Sequence, residues 1–168
     1  MADSRSERMV GFVEKLLTVL IWLNWVCGAA FALVLAATYV LADRLIGNVG
    51  AKGITPENVD AVRGALLIGL IVIPLAHIAL TRLRAIVATV RAGDPFVGDN
   101  AQRLTVIAWA LLGIMLCDLA FGFLARSTGS PMEWNFSLTG WLAVLLLFVL
   151  ARVFDHGTRL RDEMEGTV

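Results

Sequence analysis

Among the polar side chains inside the most apolar stretches of this 168-residue chain, those that could carry chemistry are Asn24, His77, Asp118 and Thr139. Ionisable groups at membrane depth are costly and often carry protons or ions. A helical rise of about 1.5 Å per residue places Asn24 and His77 on the same side of the midplane on adjacent helices, at depths where they could bond each other. Asp118 falls on the other side, at the depth of Thr139.

Interhelical packing is the favoured interpretation of Asn24, His77 and Asp118, because hydrogen bonds between membrane helices typically serve packing. A proton relay would require a chain of carboxylates and imidazoles, and the sequence has none between His77 and Asp118. A small-molecule or ion pathway that uses His77 and Asp118, with the chain as an oligomer, stays open as the alternative.

The sequence also lacks the residue patterns of common enzymes and cofactor sites. Haem held by two imidazoles needs two well-placed histidines, whereas His156 lies beyond the apolar stretch that ends at Ala151. Nucleophile elbows, phosphate loops, HExxH and CxxC motifs do not occur, and Cys27 and Cys117 have no metal or disulfide spacing. We therefore predict no catalytic, cofactor-binding or metal-binding residues, and a protein that is not an enzyme.

Four long apolar runs must position these polar groups. The composition is 58% hydrophobic with mean hydropathy +0.79, above the usual range of a soluble domain. A hydrocarbon core about 30 Å thick takes roughly 20 helical residues. The runs predict four membrane spans at 16–42, 64–81, 104–125 and 134–151. We expect a single domain over 1–168 with an all-α fold, an integral membrane four-helix bundle made of two helical hairpins.

The basic residues outside these spans predict the orientation of the chain. Lys and Arg number ten in the termini and the loop 82–103, and four in the other two loops. The positive-inside rule then places both termini, the loop 82–103 and the tail 152–168 in the cytoplasm. Nine acids accompany the ten bases on that side, so we expect no direct nucleic-acid binding. The four spans make the lipid bilayer an expected partner.

The loop 82–103 combines helical spacing with turn residues. Apolar side chains at helical spacing predict that the second helix continues to about Ala92: Leu83, Ile86, Val87 and Val90. Gly93 and Pro95 then end it. Asp99 or Asn100 is predicted to cap the next helix, with Asp99 and Gln102 as a capping box.

Other signals concern helix starts and close packing. Thr55 with Pro56, and Ser130 with Pro131, predict the starts of helices two and four. Pro74 is expected to kink the second helix. Small residues at four-residue intervals predict close packing within the chain, with a homodimer seam as the alternative: Gly28, Ala32 and Ala36.

The tail continues the fourth helix beyond the membrane. Its apolar side is Val153, Phe154, Leu160 and Met164, and Asp155–Arg159, Arg159–Glu163 and Arg161–Glu165 are opposite charges at i, i+4. Gly157 weakens this helix. Burial of the apolar side against the stripe of the loop 82–103 is the favoured expectation, with Phe96 capping that small core, and a partner protein is the alternative.

Two short segments resemble a bacterial family of short four-span membrane proteins catalogued as a domain of unknown function. The loop matches its G-x-P-F pattern and following Asn at Gly93, Pro95, Phe96 and Asn100. The tail matches at Val153, Phe154, Gly157, Leu160, Glu163, Glu165, Thr167 and Val168. The resemblance implies genes placed beside small Cro-like helix-turn-helix regulators, and hence a cytosolic transcription regulator as a partner.

The function hypothesis that follows is a non-enzymatic membrane regulator that binds a cytosolic protein through these two segments. The candidate binding or turn residues are Gly93, Pro95, Phe96, Asn100, Phe154, Gly157, Leu160, Glu163 and Glu165. Besides the pathway alternative, a purely structural membrane subunit also stays open.

Overall fold

The computed structural model describes residues 3–40, 59–93, 97–128 and 134–165, and it confirms the all-α fold. Four helices account for these residues: α1 (Asp3–Val40), α2 (Val59–Arg91), α3 (Gly98–Ser127) and α4 (Leu138–Glu165). Each is long and apolar enough to cross a membrane. Thr55, Pro56, Ser130 and Pro131 lie outside the described residues, and α2 passes through Pro74 as one helix.

The helices pack in chain order. α1 contacts α2, α2 contacts α3 and α3 contacts α4, and no other pair of helices comes close in the described part of the chain. Neighbouring helices are antiparallel, because contacts join the end of one to the start of another: Arg91 with Glu14, Thr89 with Asn100, and Thr158 with Gly98. The start of α1, the α2–α3 turn and the end of α4 therefore share one side of the molecule, which we call the terminal end.

Close packing between α1 and α2 depends on small residues facing larger ones. Gly28 is buried, and a Cβ at this position would lie 3.0 Å from Ile73 Cγ2. Gly69 faces the ring of Phe31 in the same way. The predicted small-residue stripe is confirmed at Gly28 only, because Ala32 and Ala36 are exposed. Each four-residue step turns a side chain about 40° further around the helix, so Ala32 and Ala36 turn progressively away from the side that Gly28 presents to α2.

The α2–α3 turn confirms one predicted signal and corrects another. Gly93 has φ +86°, the left-handed conformation that ends a helix. The next helix begins at Gly98 with Val97 as its N-cap and no side-chain cap bond, so the predicted caps at Asp99 and Asn100 are wrong. Asn100 instead bonds the side chains of Thr89 and Arg103, and Asp99 pairs with Arg103.

The fourth helix begins at Leu138, four residues inside the predicted span 134–151, and not after Pro131. Ser137 caps it by accepting a hydrogen bond from the Gly140 N–H at 3.2 Å on Oγ. The ring of Trp134 packs against Gly122 of α3. This contact places the non-helical segment 134–137 beside the half of α3 that is farther from the terminal end.

Candidate functional site

Asn24 ties α1 to α2, but not through His77. Its Nδ2 donates to the carbonyl oxygen of Ile73 at 3.1 Å. The predicted bond between Asn24 and His77 is therefore wrong, since Asn24 lies level with the turn of α2 that precedes His77. The bond still joins two helices, as packing groups in membranes do.

His77 lies in the α1–α2 interface beside an aromatic ring. The rings of His77 and Trp25 are 5.3 Å apart with an interplanar angle of 61°, an edge-on contact. The buried Nδ1 of His77 has no hydrogen-bond partner among the described residues. No ion pair or hydrogen bond joins His77 to Asp118 in the described structure, so the two side chains have no direct contact through which a proton could pass.

Asp118 lies on the inward face of α3. It is 18 residues, about five helical turns, beyond the fully buried Asn100 and so shares its face. Met115 meets Gly140, and Gly122 meets Trp134, which places Asp118 level with the first turn of α4. The side chain is half-buried and makes no hydrogen bond or ion pair within the described residues, while Thr139 is exposed.

The buried polar centre of the terminal end is Asn100. Its Nδ2 donates to Thr89 Oγ1 at 2.7 Å, and its Oδ1 accepts from Arg103 Nη1 at 2.8 Å. Arg103 also approaches Asp99, with Nη2 and Oδ2 3.4 Å apart. Asn100 has no exposed surface, so it can support a binding surface only by holding α2 and α3 together.

The end of α4 is attached to the start of α3. Ala151 and Thr158 are buried, and Thr158 Cγ2 lies 3.8 Å from a Cβ built on Gly98. The predicted pair Asp155–Arg159 is confirmed at 3.2 Å. The side chains of Arg161, Met164 and Glu165 lie outside the described structure.

The expected burial of the α4 apolar side against the α2 stripe is wrong. α2 and α4 have no close contact in the described part of the chain, because α3 lies between them. Val153 is 60% exposed and Leu160 48% exposed, and on α2 Leu83 and Val90 are exposed as well. Phe154 is half-buried.

Of the remaining candidate residues, two lie on open surface and two lie outside the described residues. A Cβ at Gly157 would meet no atom within 4 Å, so this glycine lies in open space. Glu163 is exposed. Pro95 and Phe96 lie outside the described residues, so the proposed capping of a small core by Phe96 stays a prediction.

Thr89, Arg103 and Thr158 also belong to the terminal end, although no sequence pattern above indicated them as site residues. Thr89 lies beside the apolar stripe of α2, eleven positions before Asn100, and a polar residue next to such a stripe is a usable signal of an interhelical bond. Within the described residues no group of three His, Cys, Asp or Glu side chains is placed to hold a metal ion.

One known protein family matches nearly the whole chain. The model of DUF2975, a protein family of unknown function, matches residues 14–168. The chain belongs to the DUF2975 family. The matched region of this DUF2975 protein begins within α1 and includes the other three helices. Searches of curated proteins and of solved structures found no match.

Proposed function

We propose that this DUF2975 protein is a non-enzymatic, multi-pass protein of the bacterial inner membrane that holds a cytosolic protein at its terminal end. The positive-inside excess of bases supports a cytoplasmic position of that end. The proposed docking face is the exposed side of α4 formed by Val153, His156 and Leu160.

One observation carries the proposal: from Val153 onward α4 presents exposed apolar side chains on one side, while its other side is held by α3. Val153 and Leu160 are seven residues apart and so share a face, and both are exposed. Ala151 and Thr158 on the other side are buried. Exposed apolar side chains that form one contiguous face commonly mark an interaction site.

The depth of the docking face supports a protein partner in place of lipid. Antiparallel packing with Gly98 against Thr158 places Arg103 and Arg152 at nearly the same level, where the charged boundary of the bilayer is expected. Leu160 lies eight residues, about 12 Å, beyond Arg152. This distance from Arg152 favours a protein over hydrocarbon as the partner that covers Leu160.

The chemistry of the face suits a helix-in-groove contact, in which side chains at i, i+3 and i+7 enter an apolar groove. Val153, His156 and Leu160 have this spacing. The family resemblance suggests the identity of the partner, a small helix-turn-helix regulator encoded beside the gene.

Co-purification of that regulator with the full-length, detergent-extracted protein tests the proposal. Leu160→Ser removes a side chain whose burial is worth about 1.5–3 kcal/mol, so we expect the dissociation constant to rise roughly ten- to a hundredfold. Arg159→Ser introduces the same residue at an exposed neighbouring position that points about 100° away, and it should bind as the unaltered protein does. Equal binding by both variants would remove α4 as the docking surface.

A further inference from the structure

The surface along α1 and α2 has a basic cavity at the terminal end and an apolar hollow farther along the two helices, and we call the two together the groove. We propose that it binds one anionic phospholipid of the leaflet at the terminal end. The phosphate head group lies over Lys15 and Arg91, and one acyl chain follows α1 to the hollow beside Pro74.

The head-group part is an open cavity of about 670 Å³ between the start of α1 and the end of α2. Arg8, Lys15 and Arg91 line it together with one acid, Glu14, so three bases against one acid leave a formal charge of +2. Arg91 Nη1 bonds Glu14 Oε2 at 2.8 Å and its side chain remains 62% exposed. Lys15 is exposed and has no hydrogen-bond or ion-pair partner among the described residues. Basic pockets between membrane helices at this level bind acidic lipid head groups.

The acyl-chain part is a hollow of about 470 Å³ with an apolar lining. Trp25 and Ala29 form its α1 side, and Leu70, Ile73 and Pro74 form its α2 side. The edge-on contact of His77 with Trp25 fixes the indole as a wall of the hollow.

Helix geometry places the two parts on one face of α1. Gly11 and Ala29 are 18 residues apart, about five complete turns, and Lys15, Thr18, Trp22 and Trp25 lie close to the same line. The ten residues from Lys15 to Trp25 rise about 15 Å, which is half of a hydrocarbon core about 30 Å thick. This is the reach of a lipid chain within a single leaflet, so one molecule fits both parts.

Native mass spectrometry of the full-length protein tests this site with three probes: phosphatidylglycerol, phosphatidylcholine with the same acyl chains, and glycerol phosphate. We expect phosphatidylglycerol to bind at least roughly tenfold more tightly than phosphatidylcholine. Comparable affinity for glycerol phosphate would instead show a site for free phosphate esters and would overturn the lipid assignment.

Four variants separate the two parts of the groove. Lys15→Gln with Arg91→Gln should reduce phosphatidylglycerol binding to the level of phosphatidylcholine, whereas Lys15→Arg should retain it. Ala29→Phe fills the hollow and should weaken both lipids, whereas Ala30→Phe adds the same ring at nearly the same depth about 100° around α1 and should not.

The Lys15→Gln variant alone removes no bond that the described structure shows, so it keeps the test valid if the double variant fails to fold. Unchanged preference for phosphatidylglycerol in that variant, or a second copy of the chain in place of lipid on this face, would contradict the proposal.

Discussion

The hydrogen bond between Asn100 of α3 and Thr89 of α2 joins the two helical hairpins, and its contribution to the free energy of unfolding can be measured. Asn100→Ala removes its bond to Thr89 and its charge-assisted bond to Arg103. With about 0.5–1.5 kcal/mol for a neutral hydrogen bond and about 1.5–3 for one to a charged group, we expect a loss of about 2–4 kcal/mol in the free energy of unfolding. Thr89→Val removes the shared bond and also the bond that Thr89 Oγ1 donates to the carbonyl oxygen of Ile86 at 2.7 Å, so it should cost about 1–3 kcal/mol.

A double-mutant cycle isolates that shared bond. Unfolding by denaturing detergent in mixed micelles, followed by tryptophan fluorescence, gives the free energy for Asn100→Ala, Thr89→Val and the double variant. The coupling energy should be about 0.5–1.5 kcal/mol. Asn135→Ala, at an exposed position away from the terminal end, should change stability by less than about 0.5 kcal/mol. Coupling indistinguishable from zero would refute the assignment of Asn100 as the link between α2 and α3.

Four further predictions follow from the same structure. Gly122→Ala drives a Cβ into the ring of Trp134 and should destabilise the fold by about 1–3 kcal/mol, whereas Gly11→Ala, which meets no atom within 4 Å, should be neutral or slightly stabilising in the same unfolding assay. Gly157→Ala adds a methyl group in open space and should stabilise α4 by about 0.5–1 kcal/mol, measured as slower amide hydrogen exchange over 154–160; unchanged exchange would argue against a continuous helix there. Asp118→Asn should leave regulator binding intact and change the free energy of unfolding by less than about 1 kcal/mol, because Asp118 makes no polar bond in the described structure; loss of a transport phenotype would favour the pathway alternative. A reporter that is active only in the cytoplasm should be active when it is fused to either terminus, and a reporter that is active only in the periplasm should be inactive at both. Activity of the periplasmic reporter at either terminus would contradict the proposed orientation.

Sequence patterns were sufficient for the helices because each depends on local properties of the chain. Long runs without charge predicted the four helices, and the end of α2 followed from Gly93, whose positive φ glycine readily adopts. The i, i+4 pair Asp155–Arg159 is equally local, and it also forms.

The errors arose where a side chain had a choice between a local and a distant partner. Asn100 has the residue type of a helix cap, but burial between α2 and α3 gives its amide two side-chain partners, Thr89 and Arg103. Asn24 was assigned to His77 from depth alone, and an estimate of depth cannot separate adjacent helical turns. The start of α4 was displaced because the contact of Trp134 with Gly122 is made across the fold.

Photo-crosslinking in living cells tests the proposed docking face most directly. A photoreactive phenylalanine analogue at Leu160 should crosslink to the helix-turn-helix regulator. At Leu145, an exposed position about 22 Å earlier along α4, the same analogue should crosslink to lipid alone. The same lipid-only pattern at both positions would contradict the central claim that α4 extends from the membrane to hold a cytosolic protein.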